Sequence, residues 1–192
     1  MYTLFISTYD KLINISLIKN EKLVNTLDEY SKQNHSTLVM PMIDKILKNN
    51  KISTSDLNEI IVVNGPGSFT GVRIGVVIAK TLAYTLSIPI KTITSLECIL
   101  VSNRTITNKL ASIPDTKGYY VGYSNKDNEL IEEFKYLKKS EYEEYIKEKK
   151  DYIITNDNFD INNIYNYLKN KESINPHLVN PIYIKGIDAL NG

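Results

Sequence analysis

The sequence predicts an α/β fold: a mixed sheet that opens as an antiparallel β-meander, continues through helical crossovers, and is followed by a smaller α/β lobe. Three observations carry this. Tyr2–Thr8, Leu12–Lys19 and Lys22–Leu27 are short runs rich in β-branched and aromatic residues, parted only by Tyr9-Asp10-Lys11 and Asn20-Glu21. Connections that short make antiparallel hairpins. After Ser36 the apolar period changes to that of a helix. Finally, Glu59–Asn64 is a continuous apolar run that ends in a glycine-rich loop and a second helix. A strand followed by a helical crossover must lie parallel to a neighbour.

The elements follow in order. Leu38, Val39, Met42, Ile43, Ile46 and Leu47 recur at helical spacing, with Ser36 as the expected N-cap and Pro41 in the early turns. Residues 53–59 form a loop or a short turn. Glu59–Asn64 reads as a strand buried on both faces, and the next helix runs from about Thr70 to Leu86. Pro89 marks a break, and Ile88–Thr94 is a further buried strand. Ser95–Asn103 reads as helical. Lys117–Asn125 and Glu129–Lys138 alternate as a hairpin, Ser140–Lys150 is a charged helix, Asp151–Asn156 a short strand and Asp160–Lys171 a helix. Asn180–Gly186 is extended. The expected division is a first lobe over residues 1–97 and a smaller, more polar one over 98–192.

Composition narrows the functional classes. A formal net charge of +1 creates no overall field toward nucleic acid or anionic membrane, although a local basic patch stays open. With one cysteine, Cys98, neither a disulfide framework nor a zinc site of several thiolates can form. The thiol reads as a small buried hydrophobe. No N-terminal leader and no apolar run long enough to span a bilayer is read, so the expected compartment is the cytoplasm.

Four of the eight glycines, Gly65, Gly67, Gly71 and Gly75, fall in one stretch. No Gly-Lys pair exists for a Walker loop. The spacing G-x-G-x-x-x-G is one residue too long for a dinucleotide fingerprint. Gly67, Ser68 and Thr70 still lie at a helix N-terminus, where free N–H groups favour an anion. The competing reading is a tight turn capped by Ser68 or Thr70.

The helix after the loop says more. Over Gly71–Leu86 only Arg73 and Lys80 are charged. Gly71, Gly75, Ile78 and Leu82 are expected to form a stripe of close backbone approach. Arg73, Val77, Lys80 and Tyr84 form a second stripe. A helix so apolar needs cover beyond the sheet, either from the Ser36–Lys48 helix or from a partner protein. Leu38, Val39 and Met42 of the preceding helix are expected to extend that partner surface.

The segments Asn34–Asp44, Gly65–Tyr84 and Ser87–Glu97 resemble, in order and spacing, the bacterial TsaB (YeaZ) family, also described as glycoprotease-like or peptidase M22-like. The string GPGSFTG-x-RIG is the most specific part, and the resemblance is strongest over residues 1–97. It implies an actin/hsp70/sugar-kinase (ASKHA) fold and a non-catalytic scaffold subunit for N6-threonylcarbamoyladenosine formation at position 37 of tRNA. The implied partners are a catalytic TsaD-like paralogue and a small TsaE-like ATPase, with tRNA reached through the complex and no membrane. A homodimer of the isolated chain stays open.

The residues depart from an enzyme of that fold. The family pattern places an Asp after the first-strand Ile, and here Ile6 is followed by Ser7, with Asp10 three residues late. No Gly-Gly pair exists for a second nucleotide loop. His35 lacks a second His four residues on, where Val39 stands, and His177 lies in the distant C-terminal segment. The expectation is therefore no catalytic residue, no cofactor and no metal. The alternatives are a standalone ASKHA enzyme (a kinase, an acyltransferase or an M22-type metalloprotease) and a direct RNA-binding module.

Overall fold

The computed structural model describes residues 1–32, 34–149, 151–155 and 158–185. Lys150, Asn156 and Gly186, the ends of three expected elements, lie outside them. In chain order the elements are β1 (Tyr2–Ser7), β2 (Leu12–Lys19), β3 (Lys22–Tyr30), α1 (His35–Asn49), β4 (Glu59–Val63), α2 (Phe69–Leu86) and β5 (Ile90–Ile93). Then come α3 (Ser95–Ser102), β6 (Asn108–Pro114), β7 (Gly118–Ser124), β8 (Leu130–Lys138), α4 (Lys139–Glu148), β9 (Tyr152–Ile154) and α5 (Ile161–Leu168). Single 3-10 turns occupy Thr54–Asp56 and Pro176–Leu178.

The first sheet has the strand order β3-β2-β1-β4-β5. The meander is antiparallel, while β4 runs parallel to β1 and β5 parallel to β4. This is the mixed sheet with helical crossovers that the sequence predicts for an ASKHA-type lobe. Every residue of β4 is buried, because the strand is central and covered on both faces. Leu4, Phe5 and Ile6 of β1 are equally inaccessible.

The chain divides by its contacts into Met1–Ser95 with Ile161–Ile182, and Leu96–Asp160 with the described residues from Tyr183. This corrects the expected split at residue 97, which placed α5 in the second lobe. The α5 helix buries Ile161, Ile164, Tyr165 and Leu168. Asn162 Oδ1 accepts the Leu23 N–H at 2.8 Å, and Lys169 pairs with Glu21 at 3.1 Å. Lys91 bridges the buried Glu59 carboxylate at 3.0 Å and the Lys169 carbonyl at 3.0 Å. These long-range bonds tie a late segment to the early sheet.

Helix α1 begins one residue before the expected cap. Asn34, not Ser36, occupies the N-cap position, and its carbonyl accepts the Thr37 hydroxyl at 2.9 Å. Of the two expected caps of helix α2, Ser68 and Thr70, the cap is Ser68, whose Oγ accepts the Gly71 N–H at 3.2 Å. It ends at Ser87 in the left-handed region, with φ 54°. With 18 residues and a mean hydropathy of 1.3, α2 meets the length and composition of a membrane span, which corrects the expectation that no run is long enough. Its packing against β1, β4 and β5 makes it a core helix of the sheet.

The second unit has the sheet order β8-β7-β6-β9, with β6, β7 and β8 antiparallel and β9 parallel to β6. Leu110, Val121, Tyr123 and Tyr145 form its core, with Tyr119, Leu137, Tyr142, Ile146 and Tyr152 packed around them. The sequence reading missed β6. Its Lys109 is fully buried, donating from Nζ to the Leu100 carbonyl at 2.8 Å and to Asn128 Oδ1, and a lysine at an inward position breaks the apolar pattern of a strand. Glu132 anchors α4 by accepting from Lys135, Lys149 and the Tyr145 hydroxyl. Burial would raise its pKa, but these hydrogen bonds outweigh it and hold the carboxyl at about 2.

Candidate partner-binding surface

Helix α2 presents two unlike faces. The sheet side consists of Gly71, Val72, Gly75, Val76, Ala79 and Ala83, all buried. A Cβ on Gly71 would fall on the Thr8 carbonyl oxygen, and one on Gly75 would fall on Thr8 Oγ1. Thr8 is itself buried and donates from Oγ1 to the Gly71 carbonyl at 2.7 Å. The two glycines thus allow the close approach expected of them. Ile78 and Leu82 do not share it; they are half-buried, and Ala79 and Ala83 complete the tight stripe.

The outer side is apolar and open. Phe69 is 57% exposed, Val77 57% and Tyr84 63%. The Arg73 guanidinium lies over the Phe69 ring, 3.7 Å from its centroid. Lys80, expected beside them, is turned aside and half-buried. Its Nζ donates to the carbonyls of Val179 at 3.1 Å and His177 at 3.4 Å, which the sequence could not signal across a separation of 97 residues or more. The His177 ring meets Tyr84 edge-on, with centroids 4.8 Å apart.

Helix α1 contributes less than expected. Val39 and Met42 are buried in the core, which corrects their assignment to the partner surface. Both belong to the stripe that covers the sheet, so neither side chain is available outside. Leu38 is half-buried. Met40, which the sequence reading passed over, is the exposed large hydrophobe of this helix.

The glycine loop closes against the Tyr9 carbonyl. Gly65 and Gly67 take φ of 102° and 154°, and a Cβ on Gly67 would fall on the Tyr9 carbonyl oxygen. The Ser68 N–H donates to that same carbonyl at 2.6 Å, and Ser95 N–H donates to the Gly65 carbonyl at 2.9 Å. Of the residues expected to face an anion, Ser68 thus has its N–H spent within the chain, and its Oγ accepts from the Gly71 N–H. Thr70 is exposed.

His35 sits at the same junction. Its Nε2 donates to the Asp10 carbonyl at 2.9 Å, and its Nδ1 meets the Ser31 hydroxyl at 3.0 Å. Nε2 thus pins the start of α1 to the β1–β2 turn, and Nδ1 ties it to the β3–α1 connection. Ser7, where the family pattern has Asp, is buried, and its Oγ and Asn64 Oδ1 lack a hydrogen-bond partner among the described residues. Cys98 is buried, and burial followed by the Glu97 charge pushes its thiol pKa well up. Among the described residues no group of three or more His, Cys, Asp or Glu is placed to hold a metal ion.

Comparison with known proteins shows the family. The family model described as "TsaD: tRNA N6-adenosine threonylcarbamoyltransferase" matches residues 22–134. The tRNA threonylcarbamoyladenosine biosynthesis protein TsaB of Bacillus subtilis is 36% identical over 135 residues, covering 69% of this chain and 59% of that protein. Its Escherichia coli namesake is 32% identical over 133 residues, covering 67% and 57%. The match thus spans less than two thirds of the length of these relatives. Among solved structures, YeaZ from Pseudomonas aeruginosa has the same fold, with a TM-score of 0.79 at 16% identity over 95% of this chain and 99% of that one.

Proposed function

The chain belongs to the TsaB/YeaZ family, and on that premise we propose that it acts in the cytoplasm as a non-catalytic subunit in tRNA threonylcarbamoyladenosine biosynthesis. Its role in this reading is to dock and activate a TsaD-like catalytic paralogue, with a TsaE-like ATPase completing the assembly and tRNA reached through it. The observation that carries the reading is the outer face of α2. Phe69, Val77 and Tyr84 stand exposed on a helix whose opposite face is locked to the sheet by Gly71 and Gly75. Such a helix is a rigid platform, and aromatic residues with Arg are the types that concentrate binding energy. Ser68 of the glycine loop caps this platform. His35 is spent on positioning α1.

Depletion of the chain in its own cell, followed by nucleoside analysis of bulk tRNA, tests the proposal. The expected result is loss of threonylcarbamoyladenosine, restored by the wild-type chain and co-purification of the paralogue with it. Unchanged modification in depleted cells would overturn it.

A further inference from the structure

Asn64 and Gly65 form an Asn-Gly pair where β4 gives way to the glycine loop. Such a pair is chemically unstable wherever its backbone is free to turn. Glycine has no Cβ to hinder the approach of its own nitrogen to the asparagine side chain, and asparagine is among the thermolabile residues. Here both residues are buried. From the sheet, the Ile93 carbonyl accepts the Asn64 N–H at 3.0 Å. The other two bonds of Asn64 come from the C-terminal segment. The Ile182 N–H donates to the Asn64 carbonyl at 2.8 Å, and Asn64 Nδ2 donates to the Asn180 carbonyl at 3.3 Å. The Ile182 carbonyl oxygen lies 3.0 Å from where a Cβ on Gly65 would stand. Further back the same segment is seated by the Ile174–Ile90 bridge, by buried Val179, and by Lys80 Nζ on the carbonyls of His177 and Val179.

We propose that Asn64-Gly65 is a latent deamidation site, and that the segment Asn180–Ile182 keeps it closed. In the reaction the Gly65 backbone nitrogen gives its proton to a solvent base and bonds to Asn64 Cγ. The Cγ–Nδ2 bond breaks, and Nδ2 leaves as ammonia with a proton taken from solvent. Water then opens the cyclic imide at either carbonyl and leaves an aspartate or an isoaspartate. The attack requires the Asn64 carbonyl to turn about the Cα–C bond and the side-chain amide to turn about Cα–Cβ. The first motion breaks the bond from Ile182, and the second breaks the bond to Asn180. The rate therefore follows the population of chains in which this segment has lifted. The product does not fit the closed site. A carboxylate there would be buried with no cation among the contacts of Asn64. An isoaspartate would lengthen the backbone at the entrance to the loop that caps α2. The site is independent of the proposed docking role.

The test incubates the full chain at mildly alkaline pH and follows, by peptide mass spectrometry, deamidation of the peptide that carries Asn64. Folded wild type is expected to react at least about a hundredfold more slowly than the chain held in denaturant. Ile182→Pro removes the N–H that holds the Asn64 carbonyl. While keeping its circular dichroism, it should deamidate at least about tenfold faster than folded wild type. Should Ile182→Pro lose its fold, Lys80→Ala decides, because it frees the carbonyls of His177 and Val179 and should speed the reaction in the same direction. Folded wild type reacting as fast as the denatured chain would overturn the proposal. So would a folded Ile182→Pro, or in its place Lys80→Ala, that reacts at the wild-type rate.

Discussion

Along α2 the sheet side places a small residue in every turn, Gly71, Gly75, Ala79 and Ala83, while the outer side carries Phe69, Arg73, Val77 and Tyr84. Both faces are largely apolar, yet they serve different ends. The small residues let the helix axis come close enough for Thr8 to bond the Gly71 carbonyl. The bulky ones bury little within the chain, so core packing does not account for them. Large apolar groups left in water on a rigid element mark a surface meant to be covered. The difference teaches that a helix apolar all round need not be buried all round. One face sets the fold, and the proposed function assigns the other to the partner.

Gly75→Leu should have the largest effect. Its side chain has no room beside Thr8, and overpacking of this kind costs about 3 kcal/mol. Denaturant unfolding reads it, and an unchanged midpoint would show that the sheet side is open.

Tyr84→Ala should do the reverse. Loss of an exposed aromatic anchor weakens partner binding by about 2 kcal/mol, whereas unfolding should move by less than about 0.5 kcal/mol. A matching fall in stability would make Tyr84 part of the core and erase the distinction between the faces.

A finer test joins Thr8→Ala to Gly75→Ala. Alone, Thr8→Ala strips the hydrogen bond from the Gly71 carbonyl and should cost about 1 kcal/mol. Alone, Gly75→Ala drives a methyl into Thr8 Oγ1. Together they relieve that clash, so the double-mutant cycle should show a favourable coupling of about 1 kcal/mol. Strict additivity would mean that the helix and Thr8 do not press on each other.

Much of the first unit was legible because its signals are local. The meander, the buried β4 run and the Ser68 cap each need only a few neighbouring residues to be recognised. The rotation of α2 was half legible. Glycine spacing located the close-approach stripe at Gly71 and Gly75, but Ile78 and Leu82 were added to it where Ala79 and Ala83 belong. Close approach selects the smallest side chains, not the most apolar ones. Val39 and Met42 were misplaced because an apolar stripe does not say how much of itself the sheet consumes. Lys80 and the seating of α5 depend on bonds across most of the chain, which no window reveals. In the second unit β6 was hidden by Lys109, whose burial rests on the carbonyl of Leu100 and on Asn128.

The most direct measurement concerns Val77, at the centre of the outer face. Val77→Glu should leave the unfolding midpoint within experimental error of wild type, because the side chain lies in water. Titration calorimetry with the catalytic paralogue should show binding weakened at least about a hundredfold, since an unpaired carboxylate would be buried in the contact. A folded variant that binds with wild-type affinity, or one that fails to fold, would contradict the assignment of this face as the partner surface.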